Sequence, residues 1–187
     1  MPGGALAFVD KCTKWAVTGL TFAVGCHLTS EDNVLPPYFL LWALCNAVAG
    51  KVIKRVLDHR RPATSRKKTP GMPSSHANSL ACLGSMAGLA LWTYAGVTSP
   101  LACALPVLIA AGLTALRVVE GHHTVPQVLA GWAMGSVSAV LSFQAEARVV
   151  HVNERPREAR LGLVTVALVL AAIAGAKAVR TWSWEGS

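Results

Sequence analysis

Charged residues are scarce in this 187-residue chain, in which 14% of residues are Asp, Glu, Lys or Arg and 53% are hydrophobic. None of the four charged types occurs in the 48 residues between Lys68 and Arg117. Soluble domains carry roughly 25% charged residues, so the composition excludes an ordinary soluble domain. Two bilayer crossings need about 20 apolar residues each plus a turn. The uncharged stretch therefore predicts a pair of membrane helices and indicates a polytopic membrane protein.

Cysteine pairs at metal-binding or redox spacing are also missing. The five cysteines are scattered, mostly through apolar segments, and no CxxC occurs. We therefore expect reduced thiols inside the helical bundle. The sequence has no HExxH and no paired acids beside its histidines, so these two patterns of metal site are not present.

The net charge of +8 leaves several classes of anionic partner to consider. An excess of basic residues favours binding of nucleic acid, anionic lipid or a phosphate substrate. The basic residues lie between apolar segments, and no aromatic-rich soluble module accompanies them. We therefore exclude nucleic acid as a partner and expect the bilayer and a phosphate-bearing ligand instead.

Six apolar segments predict the helices of a membrane bundle. Their limits are roughly 14–30, 36–53, 76–97, 100–118, 126–144 and 160–180. The first and last are marginal for spanning, since their uncharged cores are 16 residues each. Glycines four residues apart, at Gly84/Gly88 and Gly131/Gly135, favour close helix packing. We expect an all-α, polytopic membrane helical bundle of about six transmembrane helices, in a single domain over residues 1–187.

The order of crossings places the 54–76 loop and the 117–126 loop on the same face of the membrane. Most of the Lys and Arg residues fall on that face, which the positive-inside bias would assign to the cytoplasm or an equivalent compartment. The N-terminal residues show no signal-peptide cleavage pattern and lack the Arg- and Ser-rich composition of an organellar transit peptide.

The first polar cluster on this face is KVIKRVLDHRRP, residues 51–62. Lys54 and Arg61 are seven residues apart, so they share a helix face if the helix runs to Pro62. Pro62 disfavours a helical conformation of the residue before it, which places Arg61 at the carboxyl end of the helix. A Lys and an Arg together suit a phosphate group. The alternative is an interfacial basic helix that binds lipid headgroups.

The second cluster is the stretch TPGMPSSHANSL, residues 69–80. Ser74 or Ser75 can cap a helix that begins near His76, and the free amides of its first turn form an anion site. A histidine there can act as a general acid. The alternative is an ordinary helix cap followed by a solvated histidine.

The third cluster is LRVVEGHHTVPQ, residues 116–127. Arg117 ends one apolar segment, and His122 and His123 lie in the short loop that follows. The residues TVPQ have the form of a capping box, which gives Gln127 a structural explanation. His123 and Gln127 are also four residues apart, so the amide oxygen can orient the imidazole.

The three clusters together favour a phosphate ligand on one membrane face. Polar groups that converge at the ends of membrane helices indicate a functional site. The chemistry that fits them is attack on phosphorus by one imidazole, with proton donation to the leaving oxygen by another.

The motifs resemble the three-part signature of the type 2 phosphatidic acid phosphatase (lipid phosphate phosphatase) superfamily. In order they are Lys54-x6-Arg61-Pro62, Pro73-Ser74-Ser75-His76 and Arg117-x5-His123. Their placement after the second segment, before the third, and between the fourth and fifth also matches. The residues around the second and third motifs look most like those of the plant and algal plastid branch of the family. Dolichyl-diphosphatase-like members look similar around the third motif.

The resemblance implies a role for each matched residue. His123 would be the nucleophile that forms a phosphohistidine, and His76 would be the general acid. Five residues would hold the phosphoryl oxygens: Lys54, Arg61, Ser74, Ser75 and Arg117. The resemblance implies no metal and no cofactor. The resemblance also implies hydrolysis of phosphatidate to diacylglycerol and phosphate, and a chloroplast envelope location, with the endoplasmic reticulum as the alternative.

Three other functions stay open at this point. The same pocket would hold the terminal phosphate of a prenyl or dolichyl diphosphate. The chain would otherwise be a catalytically lapsed, lipid-binding membrane protein, or a helical haem or metal protein that uses His76 and His123.

The chain departs from the family pattern at two positions. Ser75 stands where the family usually has Gly, and its backbone amide can still serve. Gln127 stands where most members have an Asp that orients the nucleophilic histidine, although the similar branches also look as though they carry Gln. An amide can fix the histidine tautomer but supplies no charge. Glu120 and Asp58 are the acids that would substitute.

Overall fold

The computed structural model describes residues 25–63, 65 and 69–184, together with Gly19 and Ala23, with side chains as far as Lys177. Within that part of the chain the regular structure is helical and contains no strand. Residues 25–28 are helical. After them come α1 Leu35–Leu57, α2 Ser75–Thr93, α3 Pro100–Val119, α4 Val125–Ala145 and α5 Arg157–Trp184. A π-helical turn, Glu146–Val150, and a 3-10 turn, Val152–Glu154, join α4 to α5.

The prediction of an all-α membrane bundle is confirmed. Each of the last five predicted segments coincides with one helix, whereas the first, 14–30, lies mostly outside the described residues. Three described helical stretches are long and apolar enough to cross a bilayer: Pro100–Val119, Val125–Glu154 and Arg157–Lys177. The helices α1 and α2 are less apolar, since α1 ends in basic residues and α2 begins with Ser, His and Asn.

The caps that the sequence predicts are present. Ser74 caps α2 by accepting a hydrogen bond from the Ala77 amide at 3.4 Å. Thr124 begins α4 with the predicted capping box. These caps supply partners for amides that the first turn of a helix leaves without one.

The helix α1 does not run to Pro62, which is the condition under which Lys54 and Arg61 would share a helix face. The helix ends at Leu57, and Asp58 adopts a left-handed conformation with φ of 39° while its amide donates to the Lys54 carbonyl at 3.2 Å. Lys54 and Arg61 therefore do not share a helix face. Arg61 instead lies in an irregular loop that leads from α1 towards α2.

Close helix packing occurs at both predicted glycine pairs. A methyl group on Gly131 would lie 2.5 Å from the Ser74 carbonyl oxygen on α2, and one on Gly135 would overlap the Asn78 carbonyl oxygen. Gly84 and Gly88 face α3 in the same way, against Pro106 and Cys103. The helix α2 thus contacts α4 on one face and α3 on another, because glycines let the backbones approach.

The described residues of the 58–74 loop and the 120–124 loop lie together at one end of the bundle, as the order of crossings predicts. The Ser74 amide donates to the Gln127 carbonyl at 2.9 Å, which joins the start of α2 to the start of α4. At the opposite end, the Tyr38 hydroxyl donates to the Ser142 carbonyl at 3.0 Å and joins α1 to α4. The polar clusters are therefore assembled at the first of these ends.

An apolar cavity of about 630 Å³ opens in the other half of the bundle, between the start of α1 and the second half of α2. Its lining includes Leu35, Phe39, Leu83, Leu91 and Tyr94. None of the residues that the sequence singles out for phosphate chemistry lines it.

Candidate active site

The loop between α3 and α4 fixes the position of His123. The helix α3 ends at Val119, and Gly121 takes a left-handed φ of 70°. The amides of His122 and His123 both donate to the Arg117 carbonyl, at 3.1 and 3.2 Å. This tight turn directs the His123 side chain into the protein, where it is only 3% exposed.

Gln127 orients the imidazole of His123. Its amide oxygen, Oε1, lies 3.1 Å from His123 Nδ1 and also accepts a hydrogen bond from the Thr124 amide at 3.2 Å. An amide oxygen only accepts, so Nδ1 carries the ring proton and the lone pair is left on Nε2. The two explanations of Gln127 from the sequence, as helix cap and as partner of the histidine, both hold in the structure.

Arg61 lies against the other ring nitrogen of His123. Its Nη1 is 3.0 Å from His123 Nε2 and donates to the His122 carbonyl at 3.0 Å, while its Nε donates to the Thr69 carbonyl at 2.8 Å. The guanidinium group is thus fixed by backbone carbonyls of two loops. It places a positive charge beside the nitrogen that holds the lone pair.

Burial and positive charge keep His123 neutral. The pKa of His123 is lowered from its ordinary 6.5 to about 4, most by burial and next by the charge of Arg61. The charges of Lys54 and Arg117 lower this pKa further, whereas the hydrogen bond to Gln127 raises it. Lys54 and Arg117 are themselves 9% and 6% exposed. A neutral, basic nitrogen therefore lies among three cationic side chains, an arrangement that suits an anionic ligand.

The first turn of α2 is held next to this group of side chains. Ser74 is fully buried. Its backbone amide donates to the backbone carbonyl of Gln127, and its hydroxyl accepts the hydrogen bond that caps α2. Ser75 and His76 follow in the first turn and are half-buried. The amino end of a 19-residue helix thus adds its partial positive charge to the same end of the bundle.

Glu120 is associated with Arg117 and His122. Its Oε2 lies 3.7 Å from Arg117 Nη1 and 3.4 Å from His122 Nε2, and its side chain is 7% exposed. Asp58 is exposed at the end of α1. Gln127 occupies the place beside His123 Nδ1, so neither acid lies there. The expectation that Glu120 or Asp58 takes the place of the family's Asp is therefore wrong.

Three neighbours of Gln127 have no signal in the sequence. The Gln127 Nε2 group donates to the Arg60 carbonyl at 2.8 Å and lies 3.2 Å from His59 Nδ1. Gly71 packs against the same amide, since a methyl group there would overlap the Gln127 side chain. Only the proximity of these residues to Arg61 and Ser74 along the chain could have drawn attention to them.

The surroundings of His123 also bear on the haem and metal alternative. Its Nε2, the nitrogen with the lone pair, faces the guanidinium of Arg61 at 3.0 Å. A bound cation would be repelled there, so the geometry disfavours coordination by His123. Within the described part of the chain, no group of three or more His, Cys, Asp and Glu side chains could hold a metal ion.

Comparison with known proteins gives one consistent family. The PAP2 superfamily model matches residues 37–151. Lipid phosphate phosphatase epsilon 1, chloroplastic, from Arabidopsis thaliana is 30% identical over 74% of this chain and 50% of its own length. Lipid phosphate phosphatase epsilon 2, chloroplastic, from the same plant is 30% identical over 94% of this chain and 59% of its own length. The chain thus spans about half to three-fifths of these relatives.

The fold agrees with a solved structure from a bacterium. The crystal structure of a transmembrane PAP2-type phosphatidylglycerolphosphate phosphatase from Bacillus subtilis superposes with a TM-score of 0.61, covering 80% of this chain and 79% of that one. The two sequences are 17% identical. The shared helical membrane fold and the match over residues 37–151 together establish that the chain belongs to the PAP2 superfamily.

Proposed function

We propose that the protein is a membrane lipid phosphate phosphatase that hydrolyses phosphatidate to diacylglycerol and inorganic phosphate through a phosphohistidine, without a metal ion. The observation that carries this proposal is the state of His123. It is buried and neutral, its Nδ1 proton is bound by Gln127, and its Nε2 lies 3.0 Å from Arg61. Such a nitrogen is a nucleophile at neutral pH beside a group that binds phosphate.

In the first half of the reaction, His123 Nε2 attacks phosphorus and the bond from phosphorus to the lipid oxygen breaks. His76 donates a proton to that oxygen, so the lipid leaves as a neutral alcohol. Arg61 donates hydrogen bonds to the phosphoryl oxygens in place of its contact with the imidazole. Lys54, Arg117 and the amino end of α2, with Ser74 and Ser75, stabilise the negative charge.

In the second half, a water molecule attacks the phosphorus of phosphohistidine and the bond between phosphorus and nitrogen breaks. His76, now neutral, accepts a proton from that water, which restores its acid form. Phosphate leaves, and His123 returns to the neutral state with its proton on Nδ1. Gln127 Oε1 accepts the hydrogen bond from the Nδ1–H group of His123 throughout both halves.

Phosphatidate is the substrate that we place first. The candidate site lies at the end of apolar helices, so a lipid can present its phosphate there while its tails stay in the bilayer. The Arabidopsis relatives are named lipid phosphate phosphatases. A prenyl or dolichyl diphosphate is the second candidate, since it also presents a terminal phosphate at a membrane surface.

The proposed location follows from the same relatives. Both are chloroplastic by name, and the chain is an integral membrane protein. We place it in the chloroplast envelope, with the endoplasmic reticulum as the alternative. A fluorescent fusion in plant cells would test this by overlap with an envelope marker.

The experiment that tests the activity is phosphate release by the purified protein in detergent with a chelator present. Phosphatidate and a prenyl diphosphate would be compared, with His123→Ala and its neighbour His122→Ala. We expect release from phosphatidate that survives chelation, vanishes in His123→Ala and persists in His122→Ala. Absence of release from either lipid would instead indicate a lapsed, lipid-binding relative, with the neutral Gln127 as its physical cause.

A further inference from the structure

The presence of an amide beside His123 creates a requirement that a carboxylate would not. Both oxygens of a carboxylate accept hydrogen bonds, so either can serve the imidazole. An amide has one accepting end and one donating end. If the Gln127 amide were inverted, its NH₂ group would face His123 Nδ1. The ring proton would then have to move to Nε2, and the nucleophilic lone pair would be lost.

Four neighbours hold the Gln127 amide in the productive orientation. Two donors face its oxygen, the Thr124 amide at 3.2 Å and His123 Nδ1 at 3.1 Å. Two groups face its nitrogen, the Arg60 carbonyl at 2.8 Å and His59 Nδ1 at 3.2 Å. The side chain is fully buried. One N–H of the Gln127 amide thus donates to the Arg60 carbonyl, and the other has a partner in this set only if His59 Nδ1 accepts a hydrogen bond from it.

Of the four neighbours of the Gln127 amide, Thr124 and Arg60 contact it through backbone atoms. Only His123 and His59 contact it through their side chains. His59 Nδ1 also lies 3.0 Å from the Arg60 carbonyl oxygen. With a proton on Nδ1, His59 would donate to that carbonyl and compete with Gln127 for it. With the lone pair on Nδ1, it accepts the second Gln127 proton. The two arrangements exclude each other, so the state of His59 bears directly on the Gln127 amide.

We propose that His59 is a positioning residue, which holds the Gln127 amide so that its oxygen faces His123 Nδ1 and the lone pair of His123 stays on Nε2. This inference rests on the proposed function for its catalytic meaning. It needs no contact between His59 and the substrate.

Two variants of His59 separate this role from simple packing. His59→Leu fills the space but removes the acceptor, and His59→Asn can place its Oδ1 near the position of Nδ1. Because one buried N–H loses its partner, we expect kcat of His59→Leu for phosphatidate to fall by about tenfold, with KM nearly unchanged. His59→Asn should recover most of the loss. His27→Leu, at another exposed histidine, is the control.

The tautomer of His123 gives a second readout that does not depend on turnover. Nitrogen-15 NMR of histidine-labelled protein distinguishes protonated from unprotonated ring nitrogens, and comparison with His123→Ala assigns the signal. We expect Nδ1-protonated His123 in the wild type and in His59→Asn, and a mixture of tautomers in His59→Leu. A wild-type tautomer and a wild-type kcat in His59→Leu would overturn the proposal.

A carboxylate at position 127 also tests whether His59 acts by orienting the Gln127 amide. In a Gln127→Asp background there is no amide to orient, so His59→Leu should change neither kcat nor the His123 tautomer. A loss that persists in that background would overturn the proposal in favour of a structural role. If the wild type releases no phosphate, the proposed function fails, whereas the NMR comparison still decides the role of His59.

Discussion

His123 Nδ1 donates a hydrogen bond of 3.1 Å to the amide oxygen of Gln127, which lies four residues later in the first turn of α4. The partner is neutral, so it orients the ring without the attraction that a carboxylate exerts on imidazolium. Burial and three nearby cations lower the pKa of His123 to about 4, so its ring stays neutral well below its ordinary pKa of 6.5. Its basic nitrogen is therefore available over a wide pH range.

Replacement of Gln127 by Leu should impair both catalysis and folding. The change removes the partner of His123 Nδ1, so we expect kcat to fall by about 100-fold or more. It also leaves the Arg60 carbonyl and the Thr124 amide without this partner, at a cost of about 1–3 kcal/mol in the free energy of unfolding. Phosphate release and denaturation in detergent measure the two effects.

The matched control for this variant is Gln144→Leu, on an exposed part of the same helix. It should change neither quantity. If Gln127→Leu kept wild-type kcat, the orientation of His123 by Gln127 would have no catalytic importance.

The lowered pKa of His123 predicts the pH dependence of stability. The unfolded chain binds a proton near pH 6.5 and the folded protein only near pH 4. The contribution of His123 to the free energy of unfolding therefore falls as the pH decreases from about 6.5 to about 4, and levels off below that. The total loss is at most about 3 kcal/mol.

This contribution is measured as the difference in unfolding free energy between the wild type and His123→Gln, followed from pH 7 to pH 4. His122→Gln serves as the control at the adjacent position. A difference that does not vary with pH in this window would mean that the folded-state pKa of His123 is close to 6.5.

Arg61→Lys should reduce kcat/KM sharply although it keeps the charge. Arg61 uses Nε for the Thr69 carbonyl and Nη1 for the His122 carbonyl and for His123. A single ammonium group cannot reproduce this fork, so we expect a loss of about 100-fold. Steady-state kinetics with phosphatidate measures it.

Arg60→Lys is the control for that experiment, since the Arg60 side chain is exposed and only its backbone carbonyl contacts Gln127. It should retain nearly all activity. Equal losses in the two variants would show that only the overall positive charge of the loop matters.

Gly131→Ala should destabilise the bundle. A methyl group there would lie 2.5 Å from the Ser74 carbonyl and 3.0 Å from the Ala77 Cβ, so α2 and α4 would have to separate at the candidate site. We expect a loss of about 1–3 kcal/mol in the free energy of unfolding. Gly112→Ala, a helical glycine with nothing within 4 Å of the added methyl group, is the control. It should be neutral or slightly stabilising; equal effects of the two changes would contradict the packing argument.

The sequence was most informative where local rules act. Serine and threonine caps, uncharged segments and paired glycines predicted six helices, of which the last five coincide with α1 to α5, and also predicted close approaches between them. The order of crossings predicted that the loops of Arg61 and His123 would share one membrane face, and in the structure Arg61 Nη1 lies 3.0 Å from His123 Nε2.

The failures concern irregular backbone. The end of α1 at Leu57 depends on a left-handed Asp58, for which the sequence gives only a weak signal. The contact between the Arg60 carbonyl and Gln127 uses an atom that every residue possesses, so no residue type indicates it. His59 had no signal in the sequence for a similar reason, because its partner Gln127 lies 68 positions away in the first turn of α4.

The most direct test of the account is to trap the phosphoenzyme. The protein would be mixed with phosphatidate carrying a labelled phosphate, in the presence of a chelator, and quenched under alkaline conditions, in which phosphohistidine survives. Peptide mapping of the wild type, His123→Ala and His122→Ala would then locate the label. We predict label on His123 in the wild type and in His122→Ala, and neither label nor turnover in His123→Ala. Turnover that persists in His123→Ala, or label on another residue, would contradict the account.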